Sequence, residues 1–326
     1  TDMKNDQKAL VITAAAGLPL AAAYGLTAYI LRVATDREPP GSYQRISTIL
    51  EGQTGGDNPY AALEPGREKL KNTPHETVEI RAHDGTQLVG HWFAQDDPQR
   101  VILAAHGWRS AWYRDFGAVA DFWRDNSCSV LYIEQRGQGN SGGAKIGFGL
   151  TEYLDIPDWL SWIRERCGDA VPVYLAGISM GATTVLLAAD LNLPGNVKGI
   201  MADCGFTSPD AIFCHVARRN LHLPYVLTKR FADLLFAKQI GVRPDSRSTI
   251  DALKRSKYPI LLFHGEADGF VPVNMTYENY AACASPKQLM IVSGAIHGMS
   301  YVVRQAEYEA KEKQFWVDLE EERNGT

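Results

Sequence analysis

The stretch VYLAGISMGATT, residues 173–184, leads from an apolar run typical of a strand into a serine flanked by glycines and then into small residues. Gly177 and Gly181 each lie two positions from Ser179. This spacing is typical of a strand-to-helix turn that is too tight for flanking side chains, and a serine on such a turn can be a nucleophile. The alternative is a loop that only requires small residues. The strand-like and helix-like segments on either side favour the nucleophile.

The composition is that of an ordinary globular protein. The chain has 326 residues, of which 45% are hydrophobic and 22% charged, enough for one large α/β domain with an insertion or for two small domains. A net charge of −5 argues against nucleic-acid binding, which usually needs a basic surface. The five cysteines are scattered without a CxxC pair, so the sequence indicates neither a disulfide framework nor a zinc site. We expect chemistry that needs no metal and no organic cofactor.

Apolar strand-like segments alternate with helical segments along most of the chain. The strand-like segments are residues 77–82, 87–93, 100–108, 128–134, 171–177, 197–204, 258–265 and 287–292. Buried-type strands separated by helices predict a mostly parallel sheet with helices on both faces. The Asp84-Gly85 pair between the first two segments predicts an antiparallel hairpin at one edge of the sheet.

Candidate functional residues directly follow these strands, where ligands gather in sheets of this class. They are His106 to Trp108, Glu134 to Gly137, Ser179, Asp203, His264 to Asp268, and His297. Three of these strand ends offer a serine, an acid and a histidine in that order along the chain.

Five motifs in this order resemble the α/β-hydrolase superfamily from about Thr77 to the C-terminus: HGW, EQRGQGNSGG, GISMG, HGEADGFVP and IHGMSY. The resemblance is to bacterial hydrolases of the serine-aminopeptidase-like or "hydrolase 4" type, many of which carry an N-terminal membrane anchor and a DCxF segment, here ADCGFTSP. It implies an α/β-hydrolase core at residues 75–204 and 258–326, with a helical cap insertion at residues 205–257.

The same resemblance implies a role for each residue of a catalytic triad. Ser179 would be the nucleophile, Asp268 the acid and His297 the base, with Glu266 as the local rival of Asp268. His106 and His264 lie in His-Gly pairs that shape turns in this family, so both are interpreted as structural.

The resemblance also implies an oxyanion hole made by the backbone N–H groups of Met180 and Trp108, with the Trp108 side chain as a wall of the pocket. One position departs from the family, which usually has Asp where this chain has Glu134. We interpret that position as structural, so the departure concerns loop geometry and not the chemistry.

The N-terminal segment raises the question of a membrane anchor. Residues 9–31 contain no charged side chain and are long enough to cross a bilayer as a helix. We expect residues 1–35 to be a single-pass membrane anchor, with a Pro- and Gly-rich connector at residues 36–74 and the catalytic domain outside the cytoplasm. The alternatives are a helix that packs on the domain and an export signal that is removed from a secreted protein. Basic residues on both sides of the segment leave its topology open.

The cap segment is basic. Residues 205–257 carry ten Lys or Arg against four Asp or Glu, a net charge of +6, which leaves −11 for the rest of the chain. Most of these charges are explained by solvated helix faces, and the functional alternative is an anionic membrane surface or an acidic substrate. Aromatic residues would give the cap an apolar underside, and some of them would line an acyl pocket: Phe206, Phe213, Tyr225, Phe231 and Phe236.

The sequence therefore predicts a membrane-anchored serine hydrolase that cleaves a carboxylic ester through an acyl-enzyme. Its partner would be a small-molecule acyl substrate. Amide or peptide hydrolysis, thioester hydrolysis and acyl transfer are alternatives on the same site. A relative that binds a ligand without catalysis is the alternative of another class, which the complete triad disfavours.

Overall fold

The computed structural model describes residues 20–41, 60–222 and 225–321. They contain an eight-stranded sheet, whose strands are β1 (Glu76–Arg81), β2 (Gln87–Phe93), β3 (Arg100–Ala105), β4 (Cys128–Glu134), β5 (Val173–Ile178), β6 (Val197–Asp203), β7 (Ile260–Gly265) and β8 (Lys287–Val292). The spatial order is β1-β2-β4-β3-β5-β6-β7-β8. β2 is antiparallel to both β1 and β4, and the other neighbours are parallel. The predicted parallel sheet with an edge hairpin is confirmed.

Helices connect the strands and cover the sheet. They are α1 (20–35), α2 (Glu64–Asn72), α3 (Trp112–Phe116), α4 (Ala120–Asp125), α5 (Ile156–Cys167), α6 (Met180–Leu187), α7 (Pro209–His215), α8 (Tyr225–Ile240), α9 (Thr249–Leu253), α10 (Asn274–Ala282), α11 (Ser300–Val303) and α12 (Gln305–Glu321). Helices on both faces were predicted, and the two separate cores of the sheet confirm them.

Alternation of side chains along β3 shows how the sheet is buried on both faces. Every residue of this strand is buried. Leu103 packs in one core with Trp159 of α5, whereas Ile102 packs in the other core with Trp123 of α4. Successive side chains of a strand point to opposite faces, so a strand covered on both faces is apolar along most of its length, as β3 is from Val101 onward. This is why the parallel strands appear in the sequence as continuous apolar runs.

The segment predicted as a cap contains α7, a π-helical turn at Val216–Asn220, α8 and α9. A third apolar core lies beneath it, in which Phe206, Phe213 and Phe236 pack with Met180 of α6. Phe231 instead meets Tyr24 edge-on, with ring centroids 5.6 Å apart. The side chain of Tyr225 lies outside the described residues. The apolar underside is therefore made by three of the five predicted aromatic residues.

The N-terminal helix α1 packs on this cap. Leu31 is buried in the same third core, and the Thr35 hydroxyl donates a hydrogen bond to Gln239 Oε1 at the end of α8. In the part of the chain that the structure describes, no helix is both long and apolar enough to span a membrane. Residues 1–19 of the predicted anchor, and residues 42–59 of the predicted connector, lie outside the described residues. Anchoring, localisation and the proposed domain limits stay predictions.

Candidate active site

Ser179 lies on a tight turn between β5 and α6. Its backbone has φ 57° and ψ −118°, a conformation that L-residues rarely adopt. The turn leaves no room on either side: a Cβ at Gly181 would lie 1.8 Å from the carbonyl oxygen of Ala105, and one at Gly177 would lie 2.3 Å from the carbonyl oxygen of Gly181. The Ser179 N–H donates to the carbonyl oxygen of Asp203 at 2.8 Å, which ties the turn to β6. The two glycines are thus required sterically.

The structure brings together the three residues predicted as the triad. Ser179 Oγ lies 3.0 Å from His297 Nε2, and His297 Nδ1 lies 2.6 Å from Asp268 Oδ2. Both separations are hydrogen-bond distances. Asp268 follows β7 and His297 follows β8, so three strand ends at the carboxyl edge of the sheet supply one hydrogen-bonded chain.

Glu266 does not take part in this chain. Its carboxylate is exposed and accepts a hydrogen bond from the Ser293 hydroxyl at 2.7 Å. Asp268, in contrast, has a side chain with no solvent exposure. The position of the two carboxylates therefore favours Asp268 as the partner of His297.

Four donors surround the Asp268 carboxylate. The N–H groups of Phe270 and Val271 donate to Oδ1 at 2.9 and 2.8 Å, and His297 and His264 contact Oδ2. Burial by itself would raise the pKa of Asp268, but the charge of His297 and the hydrogen bonds from both imidazoles outweigh it and hold the pKa well below its ordinary value. Asp268 is consequently an anion throughout the neutral range.

The pKa of His297 is shifted in the opposite direction. Burial disfavours its charged form, yet the adjacent Asp268 carboxylate has the larger net effect and raises the pKa of His297 above the ordinary value of 6.5. About 20% of the imidazole side chain remains exposed, and Phe270 packs edge-on against it with ring centroids 5.2 Å apart. The imidazole can thus take up a proton and remains accessible from the pocket.

Two residues beside the triad were not predicted to touch it. His264, interpreted from the sequence as a turn residue, is fully buried and has Nε2 3.1 Å from Asp268 Oδ2. Cys204, directly after β6, is also buried, and its Sγ lies with Asp268 and His297 in a group whose ligand atoms are within 4.8 Å of one another. Burial raises the pKa of the Cys204 thiol to about 11, which makes it a poor metal ligand at neutral pH. His264 has a weak sequence signal, since it precedes Asp268 by four residues; Cys204 has none.

The loop after β3, which contains the predicted oxyanion residue Trp108, is held in place by two side chains. Asp115 accepts a hydrogen bond from the Gly107 N–H at 2.6 Å, and Gln138 accepts one from the Arg109 N–H at 2.6 Å. These contacts end the strand at Ala105, three residues before the predicted limit. Met180 is the first residue of α6, where N–H groups lack an intrahelical acceptor.

Glu134, the departure from the family pattern, lies in the adjacent loop. Its carboxylate is almost fully buried and accepts hydrogen bonds from His91 Nε2 at 2.9 Å and from Asn140 Nδ2 at 3.1 Å. Asp203, the candidate after β6, receives the Ser300 hydroxyl at 3.0 Å, and burial raises the pKa of Asp203 to about 6. The Glu134 and Asp203 carboxylates fix loops in place through these hydrogen bonds. Neither carboxylate contacts Ser179.

Two cavities adjoin the triad. A polar cavity contains Ser179 and His297 and is edged by Arg67, Arg114 and Asp115. An apolar cavity lies between α1 and the cap. Trp108, expected from the sequence to be a wall of the pocket, and Phe270 line both cavities.

The chain is similar to known hydrolases in sequence and in fold. Residues 96–248 match the family described as serine aminopeptidase, S33. The chain is 26% identical over 231 residues to the protein YqkD of Bacillus subtilis, covering 71% of this chain and 75% of YqkD. It is 25% identical over 168 residues to the lysophosphatidylserine lipase ABHD12 of Danio rerio, covering 49% of this chain and 41% of the lipase.

Among solved structures, the esterase Pf2001 of Pyrococcus furiosus superposes with a TM-score of 0.63 at 21% identity, covering 82% of this chain and 96% of the esterase. An esterase from Exiguobacterium antarcticum superposes with a TM-score of 0.56 at 16% identity, covering 74% and 99%. The chain therefore has the fold of the α/β-hydrolases. The region that matches the family model, residues 96–248, is similar to the S33 serine-aminopeptidase-like hydrolases.

Proposed function

We propose that the chain is a serine hydrolase that cleaves carboxylic esters through an acyl-enzyme. One observation carries the proposal: Ser179 Oγ, the imidazole of His297 and the Asp268 carboxylate form a continuous hydrogen-bonded chain at the mouth of a cavity. A serine hydroxyl becomes nucleophilic when a base accepts its proton and a carboxylate orients that base. The esterases among the structural neighbours and the lipase among the relatives support an ester as the substrate.

The residues divide the reaction between them. Ser179 Oγ bonds to the ester carbonyl carbon while its proton passes to His297 Nε2, and the negative charge on the carbonyl oxygen is stabilised by the N–H groups of Met180 and Trp108. The C–O bond to the alcohol then breaks, and His297 returns the proton to the leaving alkoxide. Water then attacks the acyl-enzyme in the same two steps, which gives the carboxylic acid and free Ser179. Asp268 orients and stabilises the imidazolium in both halves.

The test is covalent labelling with a fluorophosphonate together with hydrolysis of p-nitrophenyl acetate. Ser179→Ala is expected to lose both labelling and hydrolysis. Ser161→Ala is the matched control, because Ser161 lies on α5 and donates to the Pro157 carbonyl oxygen, away from the triad. Full labelling of the Ser179→Ala variant would overturn the nucleophile assignment.

The alternatives on the same site are separated by the leaving group. We expect kcat/KM for p-nitrophenyl acetate to exceed that for an aminoacyl p-nitroanilide and that for a thioester of the same acyl group. An enzyme that prefers the anilide is a peptidase, and one that transfers the acyl group to an added alcohol faster than to water is an acyltransferase.

A further inference from the structure

The apolar cavity beside the triad is bounded by two parts of the chain that are remote in sequence. α1 forms one wall and the cap forms the other. The lining residues on which the argument depends are Ile30 and Leu31 of α1, Phe213 and Ala217 of the cap, and the shared residues Trp108 and Phe270. The cavity has a volume of about 90 Å³, which is smaller than most small-molecule sites and suits a narrow group.

Two polar side chains of the lining already donate hydrogen bonds within the protein. The Thr27 hydroxyl donates to the Ala23 carbonyl oxygen at 2.7 Å. The Trp108 indole Nε1 donates to the Ala34 carbonyl oxygen at 2.8 Å. A polar ligand would lose its hydration in this cavity without gaining hydrogen bonds from these groups, whereas an apolar ligand loses nothing. The cavity therefore fits a hydrocarbon group.

The cavity adjoins the reacting atoms. Phe270 lines it and also packs edge-on against the imidazole of His297, with ring centroids 5.2 Å apart. Trp108 lines it and also lines the cavity that contains Ser179. The two cavities therefore lie next to each other, with Trp108 and Phe270 as shared walls.

The C-terminal end of the α1 wall is fixed by two contacts. The Arg109 guanidinium, next to the oxyanion loop, donates to the Val33 carbonyl oxygen at 2.8 Å. The Thr35 hydroxyl donates to Gln239 in the cap at 2.7 Å. Through these contacts, α1 is a fixed wall of the cavity.

We propose that this cavity takes the long linear acyl chain of the ester, and that α1 is the element that sets the preferred chain length. The inference rests on the proposed function, since it assigns the acyl half of the same substrate. Each methylene that moves from water into such a cavity raises kcat/KM by about fourfold if the gain is kept in the transition state. Octanoate esters should consequently be preferred to acetate esters by at least about a hundredfold.

The first experiment compares p-nitrophenyl octanoate and p-nitrophenyl acetate in the full chain. Ile30→Trp fills the cavity from α1 and is expected to lower the octanoate-to-acetate ratio of kcat/KM at least about tenfold. Leu26→Trp is the matched control, because Leu26 lies one turn earlier on the same helix and is 43% exposed. This control should leave the ratio unchanged. Ala217→Trp fills the cavity from the cap and gives the same expected loss if Ile30→Trp does not fold.

The second experiment measures binding without catalysis. Ser179→Ala is expected to bind a dansylated undecanoic acid saturably, with a rise in fluorescence, and the added Ile30→Trp or Ala217→Trp substitution should weaken that binding at least about tenfold. If wild-type protein hydrolyses acetate but does not prefer octanoate, and the probe does not bind, the inference is wrong and the proposed function stands. If neither ester is cleaved and no fluorophosphonate label appears, the proposed function itself is wrong.

Discussion

His264 Nε2 lies 3.1 Å from Asp268 Oδ2, the same carboxylate oxygen that His297 Nδ1 contacts at 2.6 Å. His264 Nε2 also lies 2.9 Å from the Val271 carbonyl oxygen, so both of its neighbours are acceptors and Nε2 must carry a proton. His264 therefore acts as a donor that positions Asp268, and Asp268 in turn positions His297. His264, which the sequence analysis interprets as a turn residue, therefore supports the triad by fixing the position of the Asp268 carboxylate.

The first prediction separates the two acids that follow β7. Asp268→Asn should lower kcat by about a thousandfold or more, because the imidazole loses the charge and orientation that its carboxylate partner provides. Glu266→Gln should lower kcat less than about twofold, since Glu266 is exposed and contacts Ser293. Steady-state hydrolysis of p-nitrophenyl acetate measures both. The reverse ranking would assign the triad acid to Glu266.

The second prediction concerns the pH dependence of kcat/KM. His297 must be neutral to accept the Ser179 proton, and its pKa is raised above 6.5 by Asp268 despite its burial. The acidic limb of the profile should therefore have an apparent pKa above 6.5, with activity rising as the pH increases through it. Asp268→Asn removes the charge that favours the imidazolium, so residual activity should have its acidic limb at lower pH. A wild-type limb at or below 6.5 would contradict the assignment.

The third prediction tests the steric requirement at the turn. Gly181→Ala places a Cβ 1.8 Å from a β3 carbonyl oxygen, so the backbone must shift and we expect a loss of about 3 kcal/mol or more in the free energy of unfolding. Gly195→Ala is the matched control, because its Cβ would have no atom within 4 Å. Urea denaturation compares the two variants. Equal stability would show that the turn adjusts without cost.

The fourth prediction concerns Glu312, a buried acid that takes no part in the reaction. It lies on α12, is 1% exposed, and accepts a hydrogen bond from Trp123 Nε1 at 2.8 Å. Burial is the main cause that raises the pKa of Glu312 from 4.5 to about 8, so the folded chain binds a proton there that the unfolded chain releases. Stability is then lost as the pH rises from about 4.5 to 8, by up to about 1.4 kcal/mol per pH unit.

Glu312→Gln removes this proton uptake. The variant should gain stability relative to wild type as the pH increases across that window, and urea denaturation at pH 5 and at pH 8 would measure the difference. Glu307→Gln is the control, since Glu307 lies on the same helix with a side chain that is 61% exposed. A pH-independent difference between Glu312→Gln and wild type would show that Glu312 is ionised in the folded state.

The fifth prediction concerns the basic cap and an anionic membrane surface. Part of the positive charge of the cap is already neutralised by ion pairs, since Lys229 pairs with Asp233 and Arg255 pairs with Asp190. Arg218, Arg219 and Arg230 are exposed. If they meet anionic lipid, the triple glutamine variant should lose sedimentation with phosphatidylglycerol vesicles at low salt while keeping acetate hydrolysis. If the wild type and the variant sediment equally, these three arginines are only a solvated surface of the cap and do not bind the vesicles.

The sheet could be predicted because the central parallel strands are buried on both faces and therefore appear in the sequence as apolar runs. The elbow could be predicted because its constraints are local: Gly177, Ser179 and Gly181 lie within five residues. The ends of the strands were predicted less accurately. β5 begins at Val173 rather than residue 171, because Pro172 has no N–H to donate to a ladder.

The rest of the site could not be predicted, because it arises from contacts between remote segments. Nothing near Cys204 in the sequence indicates that its thiol lies beside His297. Nothing in residues 20–35 indicates that they form a wall of a cavity, since an apolar segment of this kind is equally suited to a bilayer or to a protein core. Their contacts with Trp108 and the cap arise only in the folded chain.

The hydrogen bond between Thr35 and Gln239 spans 204 positions of the chain, and this separation has a consequence for biosynthesis. A ribosome that adds roughly 5 to 20 residues per second needs roughly 10 to 40 seconds to reach the second partner after the first. Throughout that interval the apolar face of α1 has been made, but the part of its final surface that the cap provides has not. We expect another surface to cover that face until then: a chaperone, a lipid surface or a temporary contact with the early strands.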